Sequence, residues 1–342
     1  MITRAFITGV SGTELTAVER QFIRAECPWG FILFKRNVEN PAQVVSLISE
    51  LRDAANAPDA PVLIDQEGGR VQRLGPPYWP IYPAGAVFGA LYDLDSALGL
   101  TAARLGARLI AADLADLGIT VDCLPLADVP VAGADAVIGN RAYGTDPAKV
   151  AAIARAVATG LEQGGVLPIL KHIPGHGRAA ADSHLRLPTV NTSKDELDRT
   201  DFAAFKPLSG LPMAMTAHVV FSAFDPAHPA TTSATMVEQV IRGAIGFQGL
   251  LMSDDVSMNA LAGTIAERTR LALAAGCDVV LHCNGKIEEM REVAGQAPGL
   301  SGKALERATR ALAARRLPQP FDRAAARVEF DALIARANTA SA

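Results

Sequence analysis

Eight short apolar runs punctuate this chain, at residues 5–8, 31–34, 62–65, 120–124, 166–171, 213–218, 250–254 and 278–283. Each is continuous rather than alternating, the pattern of a parallel strand covered on both faces. Amphipathic helices lie between them. In residues 40–52, Val44, Leu47, Ile48 and Leu51 recur at i, i+3, i+4 and i+7. Asn40 is a cap for that helix, with Pro41 at its first position. Thr16 and Glu19 read as a capping box ahead of Phe22 and Ile23. Thr145 or Asp146, followed by Pro147, opens a helix carrying Val150, Ile153, Val157 and Leu161. Eight strands separated by helices predict an α/β fold, a (β/α)8 TIM barrel, with a doubly wound open sheet as the competitor. The 342 residues suit one such unit. The expectation is a single catalytic barrel domain over 1–342, with 321–342 forming a C-terminal helix that closes it. Two connections, 66–96 and 172–211, are too long for ordinary turns.

Hydrophobic residues are 49% and charged residues 20%, which excludes a disordered chain. Lys and Arg total 32 against 36 Asp and Glu, a net charge of −4 that favours neither nucleic acid nor an anionic membrane. Cys27, Cys123, Cys277 and Cys283 form no C-x-x-C pair. The opening MITRAFITGVSGTEL holds no apolar run long enough for a signal peptide. The longest uncharged stretch, 74–92, contains four prolines, a density no membrane helix tolerates. A soluble, cytoplasmic protein without membrane contact is expected.

Chemistry in a barrel collects at the C-terminal ends of the strands. Asp65, Lys171, His218 and Asp254 all end apolar runs, so one rim receives four ionisable groups. Around Asp65, residues 65–73 hold two acids and two arginines. Asp65 can accept from sugar hydroxyls and Arg73 can donate to them, or the two can pair and order the loop. Residues 171–177, KHIPGHG, followed by Asp182-Ser183-His184, hold three of the chain's six histidines. A metal reading would use His172, His176, Asp182 and His184. Their spacings match no zinc signature and Lys171 adds a repelling cation, so neither a metal nor another cofactor is expected. The alternative is acid/base work. In an extended segment Asp182 and His184 face the same side, where a carboxylate fixes the imidazole tautomer. Gly175 and Gly177 would let this loop move as a lid. Asp254 suits a nucleophile, while Asp255 caps the following turn. Arg141 lies in a glycine-flanked loop able to present its guanidinium to a ligand. Tyr78 and Trp79 either stack on a sugar or anchor their loop.

IDQEGGRVQRL, IGNRAYG, KHIPGHG with the following DSH, TAH at 216–218, GFQGLLMSDDVSM and AGCDVVLHCN together resemble glycoside hydrolase family 3. Within it they resemble the single-domain bacterial β-N-acetylhexosaminidases of cell-wall recycling. The resemblance runs over nearly the whole barrel and implies a retaining, two-step hydrolysis. It assigns Asp254 as nucleophile, His184 as proton donor and acceptor, and Asp182 as the residue that orients and tunes it. Asp65, Arg73, Arg141, Lys171 and His172 fall on positions binding a terminal N-acetylglucosamine. Ile173 and Val256 stand where the family usually has Phe and Leu, and neither touches a reacting group. Residues 178–181 also depart from the common pattern. The implied substrate is a carbohydrate, a muropeptide fragment carrying N-acetylglucosamine on 1,6-anhydro-N-acetylmuramic acid. A related β-glycosidase, a phosphorylase, a non-catalytic sugar-binding barrel and a metallohydrolase are the competing readings.

Overall fold

All eight apolar runs become strands of one closed sheet in the computed structural model, which describes residues 3–340. The strands are β1 (Arg4–Thr8), β2 (Pro28–Leu33), β3 (Val62–Ile64), β4 (Val121–Asp122), β5 (Leu167–Ile173), β6 (Met213–Thr216), β7 (Leu250–Asp255) and β8 (Val279–His282). Every neighbouring pair is parallel, and β8 pairs with β1, so the sheet closes and the open-sheet alternative falls.

Closure explains the continuous hydrophobicity. Ile7, Ile32, Leu63, Ile169, Met215, Met252 and Leu281 pack inside the barrel. Their neighbours Phe6, Phe31, Ile64, Leu170, Ala214, Leu251 and Val280 pack outward beneath the helices. Alternate residues thus enter two different cores, and no strand position is left for a polar residue until the strand end. The helix signals hold. Thr16 and Glu19 form both halves of the capping box. Asn40 accepts from the Gln43 N–H and Asp146 from the Lys149 N–H, each with proline next in sequence. Such a cap is worth about 1 kcal/mol.

One end of the barrel is plugged. Ala5 N–H donates to the Pro298 carbonyl, and Leu300, Ala308 and Ala311, around helix Gly302–Ala313, join the interior core. The terminal helix Arg323–Ala340 lies on the outside, its Phe330 packed on Tyr82 and Phe88. The ring of helices is joined by Ile287–Gln296, which contacts β1 and helix Ala17–Glu26. Of the expected 321–342 segment, 341–342 lie outside the described residues.

The two long connections have structure of their own. The first folds into a hairpin, Gln66–Gly68 against Val71–Gln72, and helix Gly85–Leu94. The second carries Thr189–Val190, paired in parallel with Val220–Phe221, and helices Lys194–Arg199 and Asp201–Phe205. Both emerge from C-terminal strand ends and wall the open mouth. Among the described residues no helix is long and apolar enough to cross a membrane.

Candidate active site

A cavity of about 340 Å³ opens at that mouth, lined by Asp65, Arg73, Arg141, Lys171, His172, His184 and Asp254 among others. Seven of the eight residues picked out in the sequence therefore meet on one surface. The eighth, Asp182, stands behind His184.

The floor is an ion network. Lys171, on β5 and only 2% exposed, lies 2.8 Å from Asp65 and 2.7 Å from Glu67. Asp65 takes Arg73 on its other oxygen at 3.0 Å. Glu67 takes Arg141 through both oxygens, at 2.9 and 2.7 Å. Burial disfavours each charge, but the opposite charges outweigh it. Asp65 and Glu67 are held below the usual carboxylate range, and Lys171 and Arg141 are pushed above theirs. The pairing of Asp65 with Arg73 and exposure to the cavity are both realised. Glu67 was not singled out in the sequence. Its signal was its place two residues after Asp65, the same face of an extended segment. The hairpin presenting it turns at Gly68 and Gly69, with φ of +95° and +57°. A Cβ on Gly68 would sit 2.3 Å from the Pro83 carbonyl oxygen. Below this floor Asp122 is fully buried, and burial holds its carboxyl well above the usual range.

A second group begins at His172. Its Nδ1 is 2.8 Å from Asp128 Oδ2, and the same carboxylate accepts the His176 backbone N–H at 2.7 Å. Burial opposes charge on Asp128, but His172 draws its pKa down to about 2. An ionised carboxylate only accepts, so His172 Nδ1 carries the proton and Nε2 is the nitrogen left for a ligand. His176 Nε2 lies 2.9 Å from Ser183 Oγ. Ser183 is 2% exposed between two outward neighbours, and its carbonyl accepts from Ala260 N–H at 3.2 Å. Gly177 is tightly packed: a Cβ there would lie 2.2 Å from the Val129 carbonyl. Arg178 ties this loop to Glu196 and Asp201.

Asp182 and His184 do come together, but not through an extended segment. The chain turns at 183–185, and Asp182 Oδ1 accepts both the backbone N–H and Nδ1 of His184, each at 2.8 Å. A side chain that bonds the backbone two residues on builds its own turn, and this local bond replaces the strand periodicity. Burial opposes charge on Asp182, yet the His184 N–H and ring outweigh it and hold the carboxyl below the usual range. Nδ1 therefore donates, and Nε2 of this exposed ring has no partner among the described residues.

Asp254 and Asp255 end β7 and divide their work. Asp255 accepts from Ser257 N–H (2.9 Å), Ser257 Oγ (2.6 Å) and Cys283 N–H (3.1 Å), so it holds the turn as expected. Asp254 accepts the Asp255 N–H through Oδ1 at 2.8 Å and lines the cavity. Burial would raise its pKa. The imidazoles of His218 and His172 and the Asp255 N–H reverse that, so it is held below the usual range as an anion. His218, expected at the rim, is fully buried behind it. Trp79 anchors its loop, 8% exposed and edge-on to Tyr78, and neither ring reaches the cavity. Among the described residues no group of three or more His, Cys, Asp or Glu is gathered as a metal site.

A charged, sugar-sized cavity at the C-terminal mouth of a parallel barrel, with a half-buried carboxylate and an imidazole on its walls, is the layout of a barrel glycosidase. The glycosyl hydrolase family 3 N-terminal domain matches over residues 9–316. The chain is 38% identical over 288 residues to the β-hexosaminidase of Alkalilimnicola ehrlichii, covering 83% of this chain and 82% of that one. It superposes with a TM-score of 0.88 on NagZ from Neisseria gonorrhoeae in complex with N-trifluoroacetyl-D-glucosamine, at 33% identity, over 98% and 99% of the two chains. The same NagZ in complex with zinc ion matches with a TM-score of 0.83 at 32% identity, over 98% and 97%. The chain belongs to glycosyl hydrolase family 3, and within it groups with the β-hexosaminidases.

Proposed function

We propose that this chain, working as one catalytic unit in the cytoplasm, is an exo-acting, retaining β-N-acetylglucosaminidase. Its proposed substrates carry a terminal, non-reducing N-acetylhexosamine, as on the 1,6-anhydromuramyl fragments of cell-wall recycling. The observation that carries the reading is the pairing of Asp254 with the Asp182–His184 dyad on one small cavity. Asp254 attacks the anomeric carbon while the imidazolium of His184 gives its Nε2 proton to the leaving oxygen. A glycosyl–Asp254 ester forms and the aglycone departs. Water then enters, neutral His184 takes its proton, and hydroxide character at that oxygen breaks the ester, freeing the sugar and Asp254. Asp182 keeps Nδ1 protonated through both steps. Asp65, Arg73, Arg141, Lys171 and His172 bind the sugar hydroxyls and acetamido group. The volume lies at the low end for small-ligand sites, which suits one terminal ring. A relative solved with an N-acylated glucosamine supports the same sugar.

Hydrolysis is favoured over phosphorolysis by the charge balance. Lys171, Arg73 and Arg141 already face Asp65 and Glu67, and Asp254 adds a further anion. A phosphate would meet little unneutralised positive charge. The test is covalent labelling with a 2-fluoro sugar carrying an activated leaving group, read by peptide mass. Label on Asp254, abolished with turnover in Asp254→Ala, is expected, as is cleavage of a chromogenic N-acetylglucosaminide far ahead of the glucoside and without phosphate. Label on Asp255 or Asp65, or a requirement for phosphate, would overturn the assignment.

A further inference from the structure

The peptide that carries Asp254 lies where the sheet ladder is irregular. β7 pairs with β8 in register at Met252 and Val279, then resumes out of step at Asp255 and Leu281. Its ladder with β6 ends at Met252 and Met215. The backbone between 252 and 255 therefore lacks the regular strand bonds that would fix it.

Side chains replace them. Asp254 N–H donates to Thr216 Oγ1 at 3.3 Å. At the other end of the same two residues, the Asp255 carbonyl accepts from His218 Nε2 at 2.9 Å. The two contacts are joined: Thr216 Oγ1 is 2.8 Å from Thr231 Oγ1, which is 2.7 Å from His218 Nδ1. Thr216, Thr231 and His218 are all fully buried. The proton positions follow from the ends. A backbone N–H only donates and a carbonyl only accepts. So Thr216 receives from Asp254 and His218 gives its Nε2 proton to Asp255, with the Thr216 and Thr231 hydroxyls bridging the two ends. Thr231 Oγ1 also donates to the Ala217 carbonyl at 3.2 Å.

We infer that Thr216, Thr231 and His218 are positioning residues for the nucleophile, a closed hydrogen-bonded clamp that fixes the backbone on both sides of the Asp254 carboxylate. The inference rests on Asp254 as the nucleophile. A carboxylate that must reach one carbon along one line loses rate steeply with small displacements, about a hundredfold for 1 Å.

Thr231→Val tests it, since it removes the central hydroxyl and keeps the shape. The expected result is a fall in kcat/KM of roughly ten- to a hundredfold. The fall should be the same for an alkyl and a dinitrophenyl N-acetylglucosaminide, because attack rather than protonation is impaired. The rate of 2-fluoro labelling at Asp254 should fall by the same factor, while the Kd for N-acetylglucosamine holds. Thr231→Ser, which restores the hydroxyl, should recover most of the loss. Thr216→Val is the second variant should Thr231→Val not fold, and the same pattern is expected. A folded variant of lower Tm that labels at the wild-type rate would overturn the clamp and leave the nucleophile standing. Label on a residue other than Asp254 in the wild-type enzyme would overturn the nucleophile, and the clamp with it.

Discussion

Glu67→Gln takes one charge from the cavity floor and little else, because the amide keeps an oxygen that accepts. Lys171 retains Asp65 at 2.8 Å. Arg141, whose side chain is 11% exposed, loses the carboxylate it grips with two nitrogens and keeps the Val137 carbonyl at 3.2 Å. Removing one partner of a buried ion pair costs about 3–5 kcal/mol. The remaining acceptor and the partial exposure of Arg141 put the cost at the low end, about 3 kcal/mol. Unfolding entropy near 2.1 cal/mol/K per residue makes 1 kcal/mol worth about 1.4 °C in a chain of 342 residues. Differential scanning calorimetry at pH 7 should therefore show a Tm about 4 °C below wild type. The companion variant removes both charges, Glu67→Met with Arg141→Met. A buried pair replaced by apolar groups is often neutral in stability, so the double variant should regain most of the loss. A single variant within 1 °C of wild type, or a double variant that falls twice as far, would refute the coupling.

His184→Ala should lose about 10²–10⁴-fold on a disaccharide-like substrate, whose aglycone needs a proton, and far less on a dinitrophenyl glycoside, where a phenol burst should appear. Equal losses without a burst would make His184 a loop anchor. Ser183→Ala, which frees the loop from His176, should show a weaker form of the same leaving-group dependence, checked by rescue in Ser183→Thr. His176 is held neutral, with burial first and the charge of His172 second drawing its pKa to about 4 from 6.5. Between those values the unfolded chain binds a proton that the folded one refuses. The stability is therefore complete above pH 6.5 and declines by up to about 3 kcal/mol as pH falls to 4. A pH–Tm profile should flatten over that window in His176→Gln, and an unchanged slope would count against it. Dialysis against a strong chelator should leave turnover intact, and activity lost and then restored by zinc would reinstate the metal reading.

The barrel was legible because its strands are buried on both faces, which writes them as continuous apolar runs. β4 was legible as a run although only Val121 and Asp122 pair regularly. The cavity residues were legible for a related reason: charges such as Asp65, Lys171 and Asp254 interrupt apolar strands only where the core ends. What failed to show was tertiary. Asp128 sits in an unpatterned segment 44 residues from His172, and nothing local marks it as the partner. The 182–184 turn was hidden because a side-chain-to-backbone bond decided it, not a periodicity. His218 has the position of a rim residue and the burial of a core one, a distinction only the fold makes.

The two groups that share the proposed chemistry are mounted in opposite ways, and the difference follows from their tasks. Asp254 is half-buried at a strand end, with its backbone hydrogen-bonded by side chains that are themselves fully buried. It meets the same carbon in both steps, so one fixed position serves forming and breaking the ester. His184 rides on a turn with its side chain 64% exposed, and the neighbouring Ser183 anchors the run inward to His176. It must face an aglycone oxygen in the first step and a water in the second. The aglycone has to leave, and water enter, between them. A rigid mount would block that exchange, and a free one would lose the tautomer. Asp182 resolves the conflict because its bonds to His184 are local: Oδ1 holds the backbone N–H and Nδ1 of the same residue. The imidazole can then shift with the turn while Nε2 stays the reactive nitrogen.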